Sequence, residues 1–199
     1  SGNIARQILQ GAPFDVFLSA DVRYTTKVAD AGLTEGKGTP YALGRLVLFA
    51  PAGSPLTVDP ALEGLRRRIG NGSLKRLAIA NPVHAPYGRA AREVLDHHGF
   101  WEKVEKRIVL GENISQAAQF ALSGSVEGGI LSYSLVQSSA YRGKGKFILI
   151  PSEHHAPIRH RMVLLKRAGK VARKFYQFMT SLKAREILAQ HGFSPIGDV

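Results

Sequence analysis

The sequence predicts an α/β chain built on a largely parallel sheet, and three observations carry that reading. Short apolar segments rich in branched residues recur along the chain. Most are separated by stretches whose apolar residues return at helical spacing, the strand–helix alternation of α/β folding. The strand segments are themselves continuously apolar, as strands buried on both faces are.

The chain opens on a helix over 2–10, with Ser1 as its candidate N-cap and Ile4, Ile8 and Leu9 on one face. A Gly11-Ala12-Pro13 break leads into a short strand over 14–19, and Asp21 stands where it can cap a helix running to about residue 31, before Gly32. Further strands are predicted over 45–50, 76–80, 107–110, 129–131, 146–150 and 161–165, with helices over 60–69, 88–98, 115–123 and 135–141 between most of them. After residue 165 two helices follow, 171–181 and 184–191, with no strand between. No fixed-period repeat or low-complexity tract interrupts the chain. The Pro/Gly cluster 51–55 and the segment 151–157 are the best crossover candidates. They predict a discontinuous first lobe, 1–50 with 158–199, and a second lobe, 51–157.

With 199 residues the chain has room for one large domain or two small ones. Its 44% hydrophobic and 21% charged content excludes a disordered or collagen-like chain. Cysteine is absent, which excludes disulfides, thiolate metal sites and cysteine nucleophiles. The longest uncharged apolar runs, such as 46–52, fall far short of the roughly 20 residues of a membrane-spanning helix. The first residues lack the charged start, apolar run and cleavage site of a secretory signal. Lys plus Arg total 27 against 15 Asp plus Glu, and the net charge of +12 favours an anionic partner: nucleic acid, a membrane surface or a small oxyanion.

Ligands of open α/β sheets bind beyond the carboxyl ends of strands, where helices begin and their first N–H groups face outward. Three junctions have that form: Ser1-Gly2-Asn3, Asn81-Pro82-Val83-His84-Ala85-Pro86-Tyr87-Gly88, and Gly111-Glu112-Asn113-Ile114-Ser115. Each alone is equally what a well-capped helix requires.

Together these residues carry a resemblance. The run from Ser1-Gly2-Asn3-Ile4 through Gly11-Ala12-Pro13-Phe14-Asp15-Val16-Phe17-Leu18-Ser19-Ala20-Asp21 resembles the periplasmic molybdate-binding proteins of ABC importers. The segments 81–88, 111–114 and 189–195 match in the family's order and spacing, so the likeness covers essentially the whole chain. The resemblance implies an α/β fold of the type II periplasmic binding protein kind, two lobes joined by two crossover strands with a cleft between them. It implies a periplasmic, or otherwise extracytoplasmic and membrane-associated, monomer that captures molybdate or tungstate and delivers it to an ABC membrane permease. No enzymatic activity, cofactor or nucleic-acid partner is implied. Position by position, it makes Ser1 an oxyanion ligand through hydroxyl and amide, and Tyr87 and Ile114 backbone N–H donors from the second lobe. On the strand over 129–134 some relatives use a tyrosine hydroxyl; here Ser132 takes that position, with Tyr133 beside it. The family's other anion-binding hydroxyl lies in a loop that would precede Ser1, so the sequence is expected to begin one β-α-β segment late.

Other residues have plainer readings. Adjacent residues on a helix point about 100° apart, so His97 and His98 are not expected to share a metal cation, and no carboxylate or thiolate set stands beside them or beside His154, His155 and His160. The basic runs 66–68 and 166–174 read as solvated helix faces. Ser19-Ala20-Asp21 is no nucleophile elbow and no phosphate-cradling loop occurs, which leaves an enzyme without support. Two further readings stand beside the lead: an effector-binding domain of a transcriptional regulator with a similar two-lobed fold, and a basic nucleic-acid-binding module.

Overall fold

The computed structural model describes residues 1–196, which divide into two units. Unit 1 comprises Ser1–Gly44 and the chain from Ile158 onward, and unit 2 comprises Arg45–Pro157. The final three residues of the predicted first lobe lie outside the described residues.

Unit 1 begins with α1 (Gly2–Leu9), β1 (Val16–Ser19), α2 (Val22–Asp30) and β2 (Thr39–Gly44). Unit 2 holds β3 (Leu46–Pro51), α3 (Glu63–Gly70), β4 (Leu77–Ala80), α4 (Pro86–His97), α5 (Trp101–Val104), β5 (Ile108–Gly111), α6 (Ile114–Leu122), β6 (Gly128–Ser132), α7 (Tyr133–Val136) and β7 (Gly145–Leu149). The chain then re-enters unit 1 as β8 (Ile158–Leu164), α8 (Lys170–Phe178) and α9 (Leu182–Gln190). Among the described residues no helix is long and apolar enough to cross a membrane.

The expectation of a largely parallel sheet is corrected. In unit 1 the order is β1-β8-β2 and both pairings are antiparallel. In unit 2 the order is β5-β4-β6-β3-β7; β4 runs parallel to β5 and β6, while β3 runs antiparallel to β6 and β7. An apolar run shows that a strand is buried but not which way its neighbour runs. The strand predicted over 45–50 and placed in the first lobe is observed as β3, and both its partners lie in unit 2.

β2 has no counterpart in the sequence reading. Its segment Thr39-Pro40-Tyr41-Ala42-Leu43-Gly44 carries a proline and a glycine, and it pairs with β8 across an irregularity between Pro40 and Ala42. Such residues suit a strand with one ladder partner, where a missing N–H is tolerated. The helix predicted over 135–141 is instead α7 and a separate 3-10 turn at Ser139–Tyr141.

Each unit has its own core. In unit 1, Ala5 and Ile8 of α1 and Val28 of α2 pack with Phe17 of β1 and Val163 of β8. In unit 2, Ala117, Ala118 and Ala121 of α6 pack with Val47, Phe49, Ala78, Ala80 and Leu131. Alanines on the buried face of α6 let that helix lie close to the sheet. Large residues such as Phe49 and Leu131 supply most of the apolar burial, about 1.5–3 kcal/mol each.

Candidate functional site

In unit 2 the sheet itself gathers the candidates. β5, β4 and β6 are parallel neighbours, with Ala80 opposite Gly111 and Ala78 opposite Gly129, so their carboxyl ends share one edge. A helix starts just beyond each end. β4 leads to α4, with Pro86 first and Tyr87 second; β5 leads to α6, which begins at Ile114; β6 ends on Ser132, from which α7 begins. First-turn amides lack a carbonyl partner within their own helix, and the α4 and α6 dipoles add positive partial charge at that edge.

Local sequence explains why these helices start where they do. A Cβ on Gly88 would stand 2.1 Å from the Ala80 carbonyl oxygen, and one on Gly111 would stand 2.4 Å from the Ala117 nitrogen. Glycine at both positions lets a helix start press against a strand end. Asn113 caps α6 by accepting from the Gln116 amide at 3.0 Å, while the Gln116 side chain accepts from the Glu112 amide at 2.7 Å. The two loops are also tied together: the Asn81 amide donates to the Gly111 carbonyl at 2.7 Å, and His84 Nε2 donates to the Glu112 carbonyl at 2.9 Å.

Tyr87 is buried, and Ile114 packs on the unit 2 core. Ser132 is buried, with the Ser134 hydroxyl 3.4 Å from its own. Tyr133 is engaged otherwise: its amide donates to the Arg45 carbonyl at 2.8 Å and its hydroxyl accepts from Gln137.

In unit 1, Ser1 precedes α1, but its hydroxyl does not cap that helix as the sequence reading expected. It accepts instead from the Ala20 amide at 3.1 Å, which leaves the hydroxyl hydrogen for another acceptor. The loop that holds it is braced. Ser19 Oγ donates to the Asp21 carbonyl at 2.8 Å and accepts from the Asp21 amide at 3.1 Å. Asp21 caps α2 as predicted, accepting from the Arg23 amide at 2.8 Å. The side chains of all four candidate residues, Ser1, Tyr87, Ile114 and Ser132, are uncharged.

Three features escaped the sequence reading. A cavity of about 590 Å³ in unit 1 is lined by Tyr41, His160, Arg185, Leu188 and Phe193 among others, and includes none of the four candidates. Tyr41 Oη and His160 Nδ1 are 3.0 Å apart there; burial pushes the imidazole down to about 4 and the phenol upward, so both are neutral near pH 7. Arg68, read as part of a solvated face, turns inward to form a two-pronged pair with Glu127 at 2.8 and 3.1 Å. The reading of His97 and His98 as divergent helix neighbours is also corrected. α4 stops at His97, His98 is the capping residue beyond it, and both meet His154.

Comparison with known proteins agrees with this architecture. The family model described as bacterial extracellular solute-binding protein matches residues 1–194. The molybdate-binding protein ModA of Rhodobacter capsulatus is 36% identical over 196 residues, covering 97% of this chain and 74% of the relative. ModA of Azotobacter vinelandii is 33% identical over 196 residues, covering 97% and 75%. The solved Azotobacter vinelandii periplasmic molybdate-binding protein superposes with a TM-score of 0.87 at 29% identity, over 98% of this chain and 84% of that one. These relatives are named for binding a solute, not for catalysis or transcriptional control, so the effector-domain reading is not favoured. A match running through almost the whole chain decides the matter: it belongs to the bacterial extracellular solute-binding proteins and has the type II periplasmic binding protein fold.

Proposed function

We propose that this chain binds molybdate, and tungstate with it, outside the cytoplasm and delivers the anion as a monomer to the permease of an ABC importer. The residues proposed to supply its donors are Ser1, Tyr87, Ile114 and Ser132. The observation that carries this reading is the shared edge of β5, β4 and β6, from which α4, α6 and α7 all begin. The relatives' names support the identity of the anion.

A fully ionised tetrahedral oxyanion offers acceptors alone, so N–H and O–H donors can meet every oxygen without a cationic side chain. A protonated anion would bring a hydrogen with no acceptor to receive it. Leaving one buried donor unpaired costs about 1–3 kcal/mol, or roughly 5–150-fold in affinity. The size of the ring of donors then separates molybdate and tungstate from the smaller sulfate.

Calorimetric titration with molybdate, tungstate and sulfate tests this reading on the parent chain, Tyr87→Pro and Tyr87→Phe. The proline variant removes the amide hydrogen and is expected to lose roughly 5–150-fold in molybdate affinity; the phenylalanine variant keeps the amide and should stay close to the parent. Equal losses would move the contact to the side chain, and no heat from either group-6 anion with the parent would end the proposal.

A further inference from the structure

We propose that His97, His98 and His154 form a binding site for a divalent transition metal ion, Zn²⁺ in the first instance, at the end of α4 opposite to Tyr87. Nothing in the proposed anion capture uses these residues. From Tyr87 to His97 the helix rises about 15 Å, so the two sites are separate features of one element.

The geometry is that of a nearly assembled ligand set. One imidazole nitrogen from each of the three residues can be chosen so that all lie within 4.8 Å of one another. His98 Nε2 and His154 Nδ1 are already 3.2 Å apart. With Zn–N bonds of about 2.0–2.1 Å, two nitrogens of a tetrahedral site are separated by about 3.3–3.4 Å, so that pair already spans one edge of the tetrahedron. In the metal-free chain one of these rings must donate its N–H to the other; a metal would take the place of that shared hydrogen. His97 is exposed and stacks on His154 with ring centroids 4.3 Å apart, so it must turn to bring its nitrogen in. An exposed side chain makes that rotation at little cost.

The placement follows from where α4 ends. His98 is the C-cap, the first residue beyond the last helical one. His154 arrives on the 3-10 turn Ser152–His154, shortly before the chain re-enters unit 1 at Ile158. The carbonyl end of a helix favours a cation. Arg66 acts against a cation at His98, while Glu63 beside His98 and Glu153 beside His154 act for one. Three imidazoles with water in the remaining position suit Zn²⁺, Cu²⁺ or Ni²⁺ better than Mg²⁺ or Ca²⁺, which take oxygen ligands. A bound ion would fasten the turn 152–154 to α4.

The test is titration of the chain, free of any polyhistidine tag and stripped with chelator, at pH 7.5. Zn²⁺ is followed by calorimetry and Co²⁺ by its visible absorption, whose intensity separates four-coordinate from six-coordinate ions. One equivalent is expected to bind and to raise the melting midpoint by about 5–10 °C when the free metal is about a hundred times Kd. His98→Gln and His154→Ala should each weaken binding by at least about 100-fold, beyond the loss typical of disturbing a group behind the ligands. His155→Ala should bind as the parent does. Melting without metal confirms that the variants are folded, and His98→Gln retains much of the imidazole volume should His154→Ala fail. No saturable binding at one equivalent, or binding that survives both substitutions, would overturn the proposal.

Discussion

Replacing Gly88 by alanine asks whether the proposed anion contact depends on how tightly α4 is seated against β4. The added Cβ would stand 2.1 Å from the Ala80 carbonyl oxygen, 2.6 Å from the Ala80 carbonyl carbon and 2.8 Å from the Asn81 carbonyl carbon. All three are backbone atoms, so no side chain can rotate to make room. Restoring an ordinary contact requires the start of α4 to retreat by about 1 Å, which stretches a typical 2.9 Å hydrogen bond to about 3.9 Å, beyond hydrogen-bond range. The Tyr87 amide, one residue earlier, moves with it. A lost donor costs about 1–3 kcal/mol, so molybdate affinity should fall roughly 5–150-fold, and overpacking should lower stability by about 1–3 kcal/mol. Gly70, the last residue of α3, is the control: a Cβ there meets nothing within 4 Å, and Gly70→Ala should leave affinity unchanged. Calorimetry with molybdate and thermal melting read both effects. A Gly88→Ala chain that binds molybdate as tightly as the parent would refute the reasoning, because the amide would then not depend on the strand–helix seat.

Two further outcomes follow from interactions within single units. Arg68→Ala removes both prongs from Glu127 and also the donor to the Ser73 carbonyl, leaving a carboxylate that is only 10% exposed without its cation. Urea unfolding should show a loss of about 3–5 kcal/mol, and a loss under about 1 kcal/mol would show that water already solvates Glu127. The second concerns acid. His160 is held at about 4 by burial, against an ordinary 6.5, so between those values the unfolded chain binds more protons than the folded one. Its effect on stability is absent above about pH 6.5 and grows as pH falls toward 4, to a total of about 3 kcal/mol lost. His160→Gln should remove that component from the stability–pH curve, and coincident slopes for parent and variant between pH 4.5 and 6.5 would contradict it.

What the sequence made legible was whatever depends on near neighbours. The run at 76–80 became β4 and that at 129–131 became β6 because continuous apolar residues have few ways to avoid water other than a strand covered on both faces. The Asp21 cap was legible because its partner, the Arg23 amide, is two residues away. Partners far along the chain were not. β2 is a strand because β8 lies beside it, and nothing in Thr39-Pro40-Tyr41 announces a partner at residues 158–162. Ser1 looked like a cap because capping is local; its hydroxyl goes to Ala20, across 19 positions. The candidate site divides in the same way. Tyr87 and Ile114 could each be placed at a helix start, but that both share an edge with Ser132 follows from the order β5-β4-β6. The histidine cluster joins residues 56 apart, through a helix that stops one residue sooner than the predicted 88–98.

The charge balance sharpens the argument for neutral donors. A net +12 draws anions from a distance, but its reach is a Debye length, about 8–10 Å at ordinary ionic strength, and it acts on sulfate as it does on molybdate. Charge of that kind can raise the rate of encounter; it cannot choose between tetrahedral dianions. Several cations are also engaged elsewhere: Arg68 with Glu127, Arg173 with Glu35, Arg23 with Asp21, and Arg92 over the Trp101 ring. An arginine in a binding site would attract any dianion with a flexible side chain able to follow the ligand's size. Main-chain amides at the starts of α4 and α6 cannot follow. They are held by Gly88 against Ala80, by Gly111 against Ala117, and by the bonds that lace residues 81–84 to 111–112. A donor that cannot move measures the distance to its acceptor, and for anions alike in charge and shape, distance is the remaining property by which one can be told from another.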